Sequence, residues 1–192
     1  MVTDEQLLAS YVGGDQPAFA ELVRRYQPEV FAFLLRFVGD ASAAEDLFQE
    51  TFVQVHRNAR TFDPERRFRP WLFTIAANRA RDYLRSSGRR TAQSLDNVTG
   101  ADDQTTYLDL MESDVAPPPA ELAAAEDVAL VQHVLAGMPP LYREVLLLSY
   151  FNRFSYKQMA EMLGVPLGTV KSRLHAAVAA FAKAFKARQG PA

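Results

Sequence analysis

From Thr91 to Asp127 the chain carries nine Asp or Glu and not one Lys or Arg, and it passes through Pro117-Pro118-Pro119. Low hydrophobicity and like charge leave such a stretch too little apolar surface to offset the entropy of ordering it. It therefore splits 192 residues, 48% of them hydrophobic, into two parts that each need a small core. The predicted organisation is an N-terminal helical domain over residues 1–90, an acidic linker over 91–119 and a C-terminal domain over 120–192. The linker leaves room for a short ordered piece around Tyr107, Leu108, Leu110 and Met111.

Both flanking parts read as helical. Thr3 and Gln6 have capping-box spacing ahead of a short helix ended by Gly13-Gly14. Asp15 suits the N-cap of the next helix, which Pro28 is predicted to kink or interrupt before an apolar run stops at Gly39. From Ser42 onward, Leu47, Phe48, Thr51, Phe52 and Val55 recur at three- and four-residue steps. Asp63-Pro64 breaks the chain, and a long helix is predicted from Phe68 to Ser87. In the C-terminal part helices are predicted near 120–136, 140–151, 156–163 and 167–186. Pro140 opens the second of these, Ser155 caps the third and Gly164 closes it. No segment alternates as a strand would. The fold class is all-α: two small helical domains joined by a flexible acidic linker, the second ending in a helix-turn-helix.

Several chemistries are excluded. The chain has no cysteine, which removes disulfides, thiolate nucleophiles and cysteine-held zinc. Three isolated histidines argue against a metal site, and no cofactor motif is present. Acids, histidines and hydroxyls nowhere form a convergent set, so no enzyme is expected. No apolar run approaches the length of a membrane span, and the acidic N-terminus lacks a signal pattern. A cytoplasmic protein is expected.

The net charge of −2 conceals strong segregation. Residues 57–90 hold ten Arg against three acids, and residues 128–192 hold eight bases against Glu144 and Glu161. Two basic blocks around an acidic one suggest two docking places for a polyanion, although either alone could be a solvated helix face. In the C-terminal block, SYKQMAEMLGVPLGTVKSRL has helix-turn-helix spacing, with Met159, Ala160 and Leu163 inward and Val170 and Leu174 packing the second helix. A plain helical hairpin would use similar residues. Stepping 100° per residue from Val170 puts Ser172, His175, Ala176 and Ala179 on the outer face, flanked by Lys171 and Arg173. Base contacts come mainly from the N-terminal part of such a helix. In the N-terminal block, RFRPWLFTIAANRARDYLRSSGRR interleaves Phe68, Trp71, Phe73 and Tyr83 with arginines. That pattern suits single-stranded DNA, where bases stack on rings and phosphates meet guanidiniums. Any one ring, Trp71 above all, could equally be core.

These motifs, in this order, resemble the small extracytoplasmic-function (ECF) sigma factors of bacterial RNA polymerase. AEDLFQETF, FRPWLFTIAANRARDYLR, MPPLYREVLLLSYF and SYKQMAEMLGVPLGTVKSRLH carry the resemblance. It implies that Asp46, Gln49 and Glu50 contact the β′ clamp helices of core RNA polymerase. It also implies that Phe68, Trp71, Asn78, Arg79, Arg81 and Arg85 serve the −10 element of promoter DNA. Thr169, Lys171, Ser172, Arg173 and His175 would then meet the −35 element, with the C-terminal domain packing on the β flap. An anti-sigma factor is the implied inhibitor, and no catalytic chemistry belongs to the chain itself.

One departure stands out. Members of this family commonly follow SRLH with an Arg-Ala-Arg-Lys run, whereas Ala176, Val178 and Ala179 stand here. Each lost phosphate contact lowers the salt slope of DNA binding by roughly 0.9. The −35 contact is therefore expected to be weak or to favour a different sequence. In charge, the linker resembles connectors that enter the polymerase cleft, as an RNA mimic or merely as a solvated tether. A stand-alone helix-turn-helix regulator is the competing reading, and tight operator binding without polymerase would favour it.

Overall fold

A computed structural model describes residues 2–94 and 125–189, with side chains described over 2–87 and 129–188. The expected element around Tyr107 and most of the linker lie outside them. Every regular element among the described residues is helical: α1 Asp4–Val12, α2 Gln16–Val38, α3 Ala41–Asn58, α4 Phe68–Ser94, α5 Ala125–Ala136, α6 Pro140–Leu146, α7 Tyr156–Leu163 and α8 Leu167–Gln189.

The caps predicted at Thr3 and Ser155 form, whereas Asp15 stands at the N-cap of α2 without a side-chain cap hydrogen bond. Thr3 and Gln6 close the capping box on α1, with Gln6 N–H donating to Thr3 Oγ1 at 3.2 Å and Thr3 N–H to Gln6 Oε1 at 2.9 Å. Asp40 caps α3 by accepting from Ala43 N–H at 2.7 Å, just past Gly39, which ends α2 at φ +78°. The left-handed turn costs glycine nothing, because it has no Cβ to meet the following carbonyl. Pro28 does not interrupt the helix, since α2 runs unbroken through it. Pro28 and Arg24 are both exposed, so water can take the carbonyl that the missing N–H would have bonded.

Two details position the later helices. Glu5 of α1 accepts the Phe68 amide at 2.9 Å, supplying an acceptor to the start of α4 from sixty-three residues away. Burial pushes the Glu5 carboxyl up, but the amide bond from Phe68 and the smaller contributions beside it outweigh this, and the net shift is downward. The predicted helix over 140–151 is not uniform. After Leu146 the chain widens into a π-helical turn over Leu147–Phe151, followed by Arg153 at φ +53°, a left-handed conformation that few non-glycine residues adopt.

Phe33, Phe37, Phe68, Phe73, Leu22, Leu34 and Leu72 are fully buried in the N-terminal half, and Leu135, Leu147, Leu148 and Met159 in the C-terminal half. The two sets form one continuous cluster. Across the boundary the Phe73 and Phe154 rings meet edge-on at 5.2 Å.

Candidate nucleic-acid interface

The helix-turn-helix is built by α7 and α8. Ser155 and Gln158 form a second capping box at the start of α7, and Gly164 ends it at φ +65° with its N–H on the Ala160 carbonyl. Met159, Val170, Leu174 and Ala177 are fully buried, which fixes the rotation of α8. Lys171, Ser172 and His175 are consequently exposed, while Thr169 and Arg173 are half-buried beside them. The Ser172 hydroxyl donates to the Thr169 carbonyl at 3.1 Å. Ala179 faces solvent as expected; Ala176 is half-buried and belongs to the edge of the packed side.

On α4 the helical repeat places Trp71, Thr74, Asn78, Arg81, Asp82 and Arg85 within a stripe about 100° wide. Asn78, Asp82 and Arg85 are exposed, and Trp71, Thr74, Arg79 and Arg81 are half-buried. Phe68 is a correction: it is fully buried, packed against Tyr26 at 5.5 Å and Trp71 at 5.8 Å between ring centres. No base can stack on it there. It sits where Glu5 anchors the helix start, and its ring serves the core. Trp71 lies 4.8 Å from the Phe62 ring and remains partly at the surface.

The polar face of α3 forms as predicted. Leu47, Thr51, Phe52 and Val55 are buried, and the Thr51 hydroxyl is satisfied by the Leu47 carbonyl at 2.7 Å. Asp46, Gln49 and Glu50 stand on the opposite side, all three exposed to solvent. Val53, 47% exposed, continues that stripe and puts an apolar side chain among the polar ones.

A further set of polar residues escaped the sequence reading. Arg69 pairs with Glu29, donates to the Asn152 carbonyl at 2.7 Å and lies 4.3 Å over the Phe154 ring. Arg143, buried, donates to the Phe37 carbonyl and the Ala136 carbonyl at 2.5 Å and to the Met138 carbonyl at 2.9 Å. One guanidinium thus binds the carbonyl ends of α2 and α5 together, where helix dipoles favour a cation. Arg81 donates to Asn78 and also pairs with Glu144 at 3.4 Å across the two halves. Glu144 is 2% exposed; burial pushes its carboxyl up to about 7, against the opposing pull of Arg81 and Arg173. The available signal was a set of polar residues, Arg143, Glu144 and Asn152, around an otherwise apolar stretch.

These surfaces define a two-part helical DNA-binding protein, with an aromatic and basic helix in one half and a helix-turn-helix in the other. Residues 22–90 match the Sigma-70 region 2 family and residues 129–181 the Sigma-70 region 4 family. The chain is 34% identical over 163 residues to the ECF RNA polymerase sigma factor SigW of Bacillus subtilis, covering 84% of this chain and 86% of that one. It is 34% identical over 183 residues to the RNA polymerase sigma-H factor of Pseudomonas aeruginosa, covering 95% and 94%. In structure it resembles CnrH, solved in complex with the cytosolic domain of CnrY, at a TM-score of 0.69 and 27% identity over 96% of this chain and 97% of that one. The chain belongs to the ECF family of RNA polymerase sigma factors. Among the described residues no helix is long and apolar enough to cross a membrane.

Proposed function

We propose that the chain binds core RNA polymerase and directs it to promoters, opening DNA at the −10 element and reading the −35 element. The observation that carries this is the surface placement of three polar stripes on α3, α4 and α8, each backed by a buried apolar face. Asp46, Gln49 and Glu50 meet the β′ clamp helices, with Val53 adding apolar contact. Asn78, Arg79, Arg81, Arg85 and Trp71 hold the −10 element, and Thr169, Lys171, Ser172, Arg173 and His175 face the −35 element. The C-terminal unit packs on the β flap. Residues 1–90 and 120–192 act as the two working domains, joined through 91–119. Polymerase performs the nucleotidyl transfer, and the chain works on DNA inside the cytoplasm. An anti-sigma factor covers these surfaces when the regulon is off; RpoE from Bartonella quintana, a structural relative at a TM-score of 0.67, was solved with the anti-sigma factor NepR.

The test is reconstitution with core polymerase. Replacing Asp46, Gln49 and Glu50 together by Ala should abolish core binding while each change costs less than about 0.5 kcal/mol of stability, because surface substitutions rarely cost more. Asn78→Ala should retain core binding and lose strand opening, read by permanganate reactivity of unpaired thymines. A wild-type chain that fails to bind core polymerase overturns the reading.

A further inference from the structure

The helix that the functional reading gives to the −10 element starts where the local sequence offers it no cap. The residue before Phe68 is Arg67, whose side chain can only donate. Asp63, the nearest residue of capping type upstream, is taken up by a turn. Its side chain accepts the Glu65 amide and its carbonyl the Arg66 amide, both at 3.0 Å. Pro70, in the first turn of α4, has no N–H to satisfy. The Phe68 amide finds its acceptor on another helix, at Glu5 Oε1 of α1, 2.9 Å away.

Glu5 can serve there because its neighbour holds α1 in place. Asp4 accepts the Tyr26 hydroxyl at 2.6 Å and the Arg25 guanidinium at 3.0 Å, and Arg25 also donates to the Val2 carbonyl at 3.0 Å. Two successive carboxylates thus grip different helices, Asp4 the side of α2 and Glu5 the start of α4. An anion suits a helix start, where the unpaired amides point. Burial opposes ionisation of Glu5, but the Phe68 amide and the charge of Arg67 act the other way. The residues that match Sigma-70 region 2 begin at 22, so α1 lies ahead of them.

The amide matters because of the ring beside it. The Phe68 ring lies 6.2 Å from Phe62 and 5.8 Å from Trp71, and Phe62 and Trp71 lie 4.8 Å apart. Phe68 is fully buried and the other two are half-buried, so one fixed ring is the floor beneath two that reach the surface. A first helical turn whose amides lose their acceptors frays easily, and fraying at Phe68 would loosen both rings. We propose that Glu5 is a positioning residue for promoter opening: by capping α4 from α1 it holds Phe62 and Trp71 in one preset arrangement. Less ordering is then left to do when DNA binds. This rests on the reading of α4 as the −10 contact. Glu5 itself meets no DNA; it acts through Phe68.

Trp71 is the chain's one tryptophan, so its emission reports this cluster directly. In the full chain, well below the thermal midpoint, Glu5→Ala should raise acrylamide quenching of Trp71. With core polymerase bound, it should weaken binding of a −10 oligonucleotide about tenfold, the scale of one hydrogen bond to a charged group. The probe is the single −10 strand of a promoter selected by the wild-type holoenzyme from random duplexes. Affinity for core polymerase should stay unchanged. Glu5→Gln, which keeps an acceptor oxygen, should recover most of both losses. Tyr26→Phe removes the hydroxyl on Asp4 but keeps its ring against Phe68. It should lower the thermal midpoint as Glu5→Ala does, yet leave quenching and oligonucleotide binding at the wild-type level. Equal effects of Tyr26→Phe and Glu5→Ala on those two readouts would make Glu5 merely structural and overturn the proposal. Wild-type quenching and binding in Glu5→Ala, or no recovery in Glu5→Gln, overturns it as well. Failure of the underlying reading looks different: the wild-type chain with core polymerase would leave the −10 strand unbound, while Trp71 quenching still set Glu5→Ala apart.

Discussion

Glu144 is where single-residue chemistry bears most directly on function. Its carboxyl is taken out of water in the folded chain and pushed up to about 7, with Arg81 of α4 and Arg173 of α8 opposing the shift. Unfolding would return it toward the ordinary value of 4.5. A raised carboxyl contributes stability to the fold fully at pH below the ordinary value, and the contribution is lost as pH rises to about 7. The slope is at most about 1.4 kcal/mol per pH unit. The thermal unfolding midpoint should accordingly fall as pH rises from about 5 to about 8, and Glu144→Gln should flatten that dependence. Phe68 teaches the complementary lesson. From sequence it belongs to an aromatic and basic run suited to bases, yet it is fully buried against Tyr26 and Trp71. Nothing in the local pattern distinguishes a ring that stacks on DNA from one that anchors a helix, since both are apolar and flank arginines.

Among elements, α8 carries the departure from its family. The exposed residues that reach outward at its start are Lys171, Ser172 and His175, and no cation replaces the alanines behind them. Ala179 is exposed and Ala176 half-buried, so the cleaner gain-of-contact variant is Ala179→Arg. It should raise −35 affinity and steepen the dependence of log affinity on log salt by roughly 0.9, measured by titration of duplex DNA at several salt concentrations. An unchanged slope would mean that this part of α8 stands off the backbone. The caps of α1 and α7 were legible in advance because capping is local: donor and acceptor lie three residues apart. The start of α4 was not, since its acceptor, Glu5, comes from another helix. The π-helical turn after Leu146 was equally hidden, because its apolar residues fit an ordinary helix as well.

At the scale of the whole molecule the two halves share one apolar cluster and several polar contacts, although DNA reading needs them far apart. Arg36 lies 4.8 Å over the Phe151 ring between the halves, so a chain carrying Arg36→Cys and Phe151→Cys, once the two thiols are bridged, should not protect both promoter elements at once in a nuclease footprint. The same chain with its thiols capped should protect both when bound to core polymerase. The sequence by itself determined the helical class, the acidic divide, the family motifs and the polar faces of α3 and α8, because periodicity and caps act over a few residues. Only the tertiary structure decided that Phe68 is core, that Arg143 joins the ends of α2 and α5, and that Glu144 is buried beside Arg81. Most of those contacts join residues far apart in the chain, the Arg143 to Phe37 bond spanning 106 positions. Each depends on how helices pack, which no local pattern encodes.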